Sequence, residues 1–269
     1  MNYIEDYYNN YDEEARLVRK HGQVEFLTTM RYIKKYLELK SDAYVLEVGA
    51  GTGRYSRAIA DMGYQVEAVE LVPHNIEIFK ENLKPTQNIQ ITQGNALDLN
   101  TFEDSTFDIT LVLGPMYHLY TEEDKRQAIS EALRVTKPDG VIFVAYCISD
   151  ASILLDEFKE GYKWVSENIA KGLIDPVTFD VTGLPEGIFE LVRKDDIDRL
   201  MEFFEVERLH YVATDMITGF FRESIMDMDD ATFDLYLKYH FAVCERPDMV
   251  GMTQHSLDIF RKFQKGSAS

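Results

Sequence analysis

The sequence predicts an α/β fold, a doubly wound parallel sheet with helices on both faces. Two observations predict it. Between residues 43 and 148, short apolar runs alternate with helical patterns, the order that builds a parallel sheet covered on both sides. The first run, AYVLEV at 43–48, passes directly into the glycine-rich stretch GAGTG at 49–53. A short, bounded apolar run of this kind marks a buried parallel strand.

The elements follow in order. Residues 12–39 read as helix: Leu17, Val18, Phe26, Leu27, Met30, Ile33 and Leu37 recur at helical spacings, with Gly22 as a break between two pieces. After the strand at 43–48 and its glycine turn, Tyr55 to Met62 is helical and QVEAVE (65–70) is a second strand. Pro73 opens a helix running to about Leu83, since proline suits a first helical turn. NIQITQG (88–94) and FDITLVLG (107–114) are the third and fourth strands. Residues 122–136 form a helix with Glu122 and Glu123 at its start, where the helix dipole favours acids. KPDG (137–140) is a turn by composition, and VIFVAYCI (141–148) is the fifth strand.

Beyond residue 149 the alternation stops. Residues 151–171 read as helix, 172–187 as loop punctuated by Gly and Pro, and 194–204 as a short amphipathic helix. EVERLHYVAT (205–214) reads as a sixth strand, 228–245 as a helix and HSLDIFRKF (255–263) as the last strand. The expected organisation is an amino-terminal helical cap (1–40), a core (41–149 and 194–269) and an inserted helical lid or acceptor-binding segment (150–193).

Composition narrows the function. Acidic residues outnumber basic ones 47 to 28 across the 269-residue chain, a formal charge of −19. Such a surface repels nucleic-acid phosphates and anionic membranes, which argues against a nucleic-acid or membrane partner. Cys147 and Cys244 are too far apart for a disulfide scaffold or a zinc-ligand spacing. The amino terminus lacks a cationic region followed by an apolar one, so no signal peptide is expected, and no run reaches membrane-spanning length. A cytoplasmic protein is the expectation.

The glycine turn carries the chemistry. Gly49, Gly51 and Gly53 lie where the first strand meets its helix, the usual ligand position in such a sheet. Gly49 and Gly51 fit the dinucleotide pattern G-x-G-x-x-G, but Arg54 occupies its third glycine position. Glu47, two residues before Gly49, would repel a pyrophosphate and suit a positive centre. Glu70 ends the second strand, where an acid accepts ribose hydroxyls. The expected ligand has a ribose and no pyrophosphate, which sets aside a nicotinamide oxidoreductase.

At these residues the chain resembles the class I S-adenosylmethionine-dependent methyltransferases. The resemblance rests on EVGAGTG (47–53), Glu70, GNALDL (94–99), FDITLVLGPMYHL (107–119) and EALRVTKPDGVIFV (131–144). It implies a seven-stranded, mostly parallel sheet of order 3-2-1-4-5-7-6 with the last strand antiparallel, and S-adenosyl-L-methionine as cofactor, leaving S-adenosyl-L-homocysteine as product. Carried over, Glu47 with Gly49, Ala50, Gly51 and Gly53 flanks the amino acid part, Glu70 binds the ribose and Leu71 packs beside the adenine. Asn95 stands where the family often has Asp, to meet the adenine amino group or simply to cap a turn. Ala96 offers a backbone amide, and Leu113 and Gly114 pass the methionine part. Arg16 pairs with the methionine carboxylate or forms a surface salt bridge with Glu13 or Asp12.

A sulfonium methyl is already activated, so catalysis needs alignment and a proton sink for an oxygen acceptor. GPMYHLY (114–120) faces that position in the family. His118 is the candidate general base, against the alternative of a backbone-bonded histidine. Tyr117 is the second catalytic candidate, against the alternative of only shaping the acceptor pocket, and Tyr146 is a third, against that of a packed aromatic. The segment 150–193 brings Phe158, Tyr162, Trp164, Phe179 and Phe189, which suits a small, aromatic or partly apolar acceptor. The six histidines are scattered and suggest no metal site. The expected function is methyl transfer to O or N of a small molecule; the alternatives are a nucleic-acid or protein methyltransferase on the same fold, and a non-catalytic cofactor-binding module. Neither the acceptor, since this core carries many, nor the oligomeric state has a sequence signal.

Overall fold

The computed structural model describes residues 3–159 and 164–263. Helices α1 (Tyr3–Tyr8), α2 (Glu13–Arg16) and α3 (Lys20–Leu37) precede the sheet. Strands β1 (Tyr44–Val48), β2 (Gln65–Glu70), β3 (Ile89–Gln93) and β4 (Phe107–Val112) alternate with α4 (Arg54–Asp61) and α5 (Pro73–Glu81). Helix α6 (Glu122–Val135) leads into β5 (Thr136–Ile148), followed by α7 (Ser149–Ser152) and α8 (Trp164–Ala170). The chain ends with β6 (Leu191–Val192), α9 (Lys194–Met201), β7 (Val206–Ala213), α10 (Arg222–Asp227), α11 (Asp230–Val243) and β8 (His255–Lys262).

The sheet runs β3-β2-β1-β4-β5-β8-β7, with β6 pairing β5 off this path. Only β8 is antiparallel to its neighbours. Leaving aside the two-residue β6, this is the order and polarity that the resemblance implies. Apolar residues on both strand faces explain it. Val45, Ile109 and Phe143 pack toward α3 and α4 in one core, while Leu46, Val112 and Val144 pack toward α6 and α9 in the other. Strand order reverses between β1 and β4, so their carboxyl ends open a crevice.

Several local readings change. Gly22 lies inside α3, and the break falls before it, at residues 17–19. A Cβ on Gly22 would stand 2.2 Å from the Arg16 carbonyl oxygen, so this glycine serves close packing rather than a turn. KPDG lies within β5, with Asp139 at φ 64° and a register shift between Phe107 and Ile109 on β4. Its turn composition makes a bulge. The segment 150–193, expected to be a helical lid, is helical only in part: α7, a π-helical turn at Ile153–Lys159 and α8. Its second half is irregular apart from a bridge between Ile174 and Val181 and a 3-10 turn at Pro185–Gly187, and it closes with β6 beside Cys147 and Ile148. A two-residue strand has no periodicity to read, so β6 escapes a sequence pattern.

Candidate active site

The glycine turn is built by its backbone. The amides of Gly49 and Ala50 donate to the Val69 carbonyl at 2.8 and 3.1 Å, tying the turn to β2. Gly49 and Gly51 have φ of 72° and 54°, in the left-handed region that glycine enters without steric cost. A Cβ on Gly49 would lie 2.6 Å from Cδ of Pro115, so the loops after β1 and β4 touch only because it is absent.

The two acids are set in this frame. Glu70 accepts from the Gly51 amide at 2.7 Å, the Val72 amide at 2.9 Å and Nδ2 of Asn75 at 3.3 Å. Burial nevertheless holds its carboxyl above the usual range. Glu47 accepts from the amide (2.9 Å) and the hydroxyl of Ser56. Its burial, reinforced by Glu70, raises its pKa to about 8 against the pull of Ser56 and Arg57.

A cavity of about 290 Å³ opens here. Of the residues singled out from sequence, Arg16, Glu47, Gly49, Ala50, Gly51, Glu70, Leu71, Asn95, Ala96, Leu113, Gly114, Tyr117 and His118 all line it. Gly53 does not. It precedes α4 at φ 81°, and a Cβ there would sit 2.1 Å from Cε2 of Phe79, so it serves turn and packing. Asn95 also makes a local turn, Oδ1 accepting from the Leu97 amide at 3.0 Å. Arg16 lines the cavity while pairing with Glu13 (3.0 Å) and Glu25 (2.8 Å). Tyr146 is buried in the core packed toward α6 and α9 and lines neither this cavity nor the next.

A second chamber of about 290 Å³ adjoins the first and shares Tyr8, Glu13, Arg16 and Tyr117 with it. Tyr7, Tyr8, Tyr11, Tyr117 and Phe189 give it aromatic walls, and Cys147 and His255 also face it. Of the lid aromatics only Phe189 reaches it. Phe158 and Trp164 are exposed, Phe179 is half-buried elsewhere, and Tyr162 lies outside the described residues. The first eleven residues supply three of the walls, a role the reading from sequence missed although tyrosines recur there at Tyr7, Tyr8 and Tyr11.

His118 is engaged at both nitrogens. Nδ1 donates to the Ile188 carbonyl at 2.9 Å, so Nε2 accepts the Tyr8 hydroxyl at 3.0 Å. Burial lowers its pKa and keeps it neutral. Ile188 holds φ 68°, a strained value for a β-branched residue; its carbonyl also accepts the Tyr120 hydroxyl at 2.7 Å. The Tyr117 hydroxyl donates to the Leu113 carbonyl at 2.8 Å, which fixes its ring between the chambers.

Backbone and donor set fit a nucleoside with a cationic amino acid arm. The Methyltransferase domain family profile matches residues 46–144. Demethylmenaquinone methyltransferase of Staphylococcus haemolyticus (strain JCSC1435) is 30% identical over 199 residues, 70% of this chain and 77% of that one. The enzyme of the same name from Staphylococcus carnosus (strain TM300) is 30% identical over 136 residues, so this chain spans only about half of it, 53%. The N-methyltransferase NodS from Bradyrhizobium japonicum WM9, solved with S-adenosyl-L-homocysteine, superposes over 98% of this chain and all of NodS, with TM-score 0.59 and 14% identity; that likeness shows the fold. The chain belongs to the class I S-adenosylmethionine-dependent methyltransferases, and S-adenosylmethionine is its cofactor. Among the described residues no helix is long and apolar enough to cross a membrane.

Proposed function

We propose that the chain transfers a methyl group to O or N of a small-molecule acceptor seated in the aromatic chamber, as a cytoplasmic enzyme with residues 150–193 as the acceptor cover. The observation that carries this reading is the junction: Tyr8 and Tyr117 wall both the glycine-turn cavity and the aromatic chamber. A ring between them would be aligned with the methyl and shielded from water. When bound, the cofactor supplies an activated methyl on sulfur. Glu70 would hold the ribose hydroxyls, Glu47 and the Gly49–Gly51 backbone the amino acid arm, Arg16 its carboxylate, Asn95 and Ala96 the adenine edge, Leu71 its face, and Leu113 and Gly114 the methionine chain.

For an oxygen acceptor the proton has a route. The hydroxyl of Tyr8, a residue that lines both chambers, takes the acceptor proton as it gives its own to Nε2 of His118. His118 is then the base, acting through Tyr8, and Nδ1 stays fixed on Ile188. The aromatic walls support a small, aromatic or partly apolar acceptor. The named activity of the Staphylococcus relatives makes demethylmenaquinone the second acceptor to assay.

Calorimetric titration with S-adenosylmethionine, S-adenosylhomocysteine and NAD tests the cofactor arm: the two sulfur ligands are expected to bind and NAD is not. Screening phenols, amines, carboxylic acids and demethylmenaquinone then tests turnover. Cofactor binding with no methyl transfer to any of them favours the non-catalytic alternative. For a phenol acceptor, Tyr8→Phe should lower kcat about 100-fold, in the range of lost acid–base catalysis, at unchanged cofactor affinity; full activity would remove the relay.

A further inference from the structure

The aromatic chamber continues into a recess of about 440 Å³, and Tyr7, Tyr11, Arg16, Phe189, Gln254 and His255 line both. Their chemistry differs. In the recess Tyr8 and Tyr117 are gone, and Arg19, His21 and Arg222 join the wall. His255 stands at the junction. Its Nδ1 donates to Oδ2 of Asp215 at 2.7 Å, with Oε2 of Glu25 at 3.7 Å.

These three side chains are close enough to suggest a metal site, but their bonding is already complete. Asp215 also accepts from the Thr253 hydroxyl (2.5 Å) and the amides of Gln254 (3.0 Å) and His255 (3.2 Å). Glu25 is held by Arg16. The arrangement is a carboxylate–imidazolium pair. Glu25 and Asp215 hold the His255 ring well above its ordinary pKa despite burial, so it is a cation at neutral pH, with Nε2 bonded to no described residue.

The charges facing the recess are Arg16, Arg19, Arg222 and His255 against Asp12, Glu25 and Asp215. Glu25 and Asp215 are occupied as described, and Asp12 also has an interaction of its own. Arg19 and Arg222 form no ion pair with any described residue. His21 lies near enough to both that their charge adds to burial in lowering its pKa, and its buried Nδ1 has no hydrogen-bond partner. A cationic recess with unpaired donors, in a chain of charge −19, focuses anions from solvent.

We propose that this recess binds an anionic group of the methyl acceptor, a carboxylate or a phosphate, through His255, Arg19 and Arg222. This rests on the aromatic chamber being the acceptor site and narrows the substrate to an aromatic or partly apolar acid. The test is calorimetry on the full chain saturated with S-adenosylhomocysteine, titrated with benzoate, phenyl phosphate and neutral benzamide. At least one anion should bind about tenfold more tightly than benzamide, as charged hydrogen bonds allow; which one does so separates carboxylate from phosphate. In the Arg19→Gln/Arg222→Gln double variant that preference should vanish with S-adenosylhomocysteine affinity unchanged, which also reports that the variant is folded. If neither anion exceeds benzamide, or the preference survives the double substitution, the inference is wrong. Failure of S-adenosylhomocysteine itself to bind the wild-type chain would instead overturn the proposed function.

Discussion

The two halves of the site are made differently. The cofactor cavity is built largely from backbone turns after β1, β2 and β4, within residues 47–119. The aromatic chamber, proposed to take the acceptor, and its recess are built from side chains drawn from α1, α2, α3, residues 187–191, α10 and the start of β8. A backbone that must approach a ligand leaves glycines at fixed positions, so the first half has a signature. A chamber assembled from distant side chains leaves only composition, so the second half is visible once the sheet has brought its parts together.

The strongest challenge to this contrast is to break the backbone half. Gly53→Ala places a side chain at φ 81° and a Cβ against the Phe79 ring. The left-handed conformation costs roughly 1–2 kcal/mol and overpacking roughly 1–3 kcal/mol more. Thermal unfolding should show a large drop in Tm; an unchanged Tm would mean that the turn is not held as described. Next comes Glu70→Ala. It removes a buried acceptor of the Gly51 and Val72 amides and should weaken S-adenosylmethionine binding by about 1–3 kcal/mol. Unchanged affinity would take Glu70 out of the site.

How far the sequence could be read follows the same division. The alternation from β1 to β5 and the acids at the ends of β1 and β2 were legible, because a parallel strand buried on both faces must be apolar and the glycine turn cannot be built otherwise. His118 was legible as a residue, with a backbone bond as one of its two readings, but not in its bond to Tyr8. Its partner Tyr8 lies 110 positions away, and no local pattern links them. His255 had no signal at all, since its meaning comes from Asp215, 40 residues earlier in the chain. The lid aromatics misled because composition does not say which way a ring faces: Phe189 turns inward, whereas Trp164 is 57% exposed.

Glu47 sharpens the cofactor half with pH. Its folded pKa of about 8 stands above the ordinary 4.5, so the folded chain binds the extra proton between those values. Its contribution to stability is therefore fully present below about 4.5 and is lost as pH rises toward 8. A cationic amino acid arm beside it favours the ionised form. Cofactor binding near neutral pH should then release a proton, and affinity should rise with pH until it levels above about 8. Calorimetry in two buffers of different ionisation enthalpy reads the proton directly, and Glu47→Gln should abolish it. No proton release in the wild-type chain would separate Glu47 from the positive end of the cofactor.

The smallest effect tests the acceptor half, and it does so by a difference. Trp164 stands in the solvent, and exposed substitutions away from special features change stability by about 0.5 kcal/mol or less. Trp164→Ser should therefore leave both Tm and the KM for the acceptor near their wild-type values. Phe189 makes edge contacts with Tyr7 at 5.6 Å and Tyr117 at 5.9 Å between ring centroids, and it lines the chamber. Aromatic pairs of this kind contribute roughly 0.5–1.5 kcal/mol beyond their buried area, so Phe189→Ala should raise the acceptor KM several-fold while leaving S-adenosylmethionine affinity intact. If the two substitutions instead act alike on KM, the acceptor is covered by the outer lid as the composition of residues 150–193 suggests, and the chamber walled by the amino-terminal tyrosines is not where the methyl is delivered.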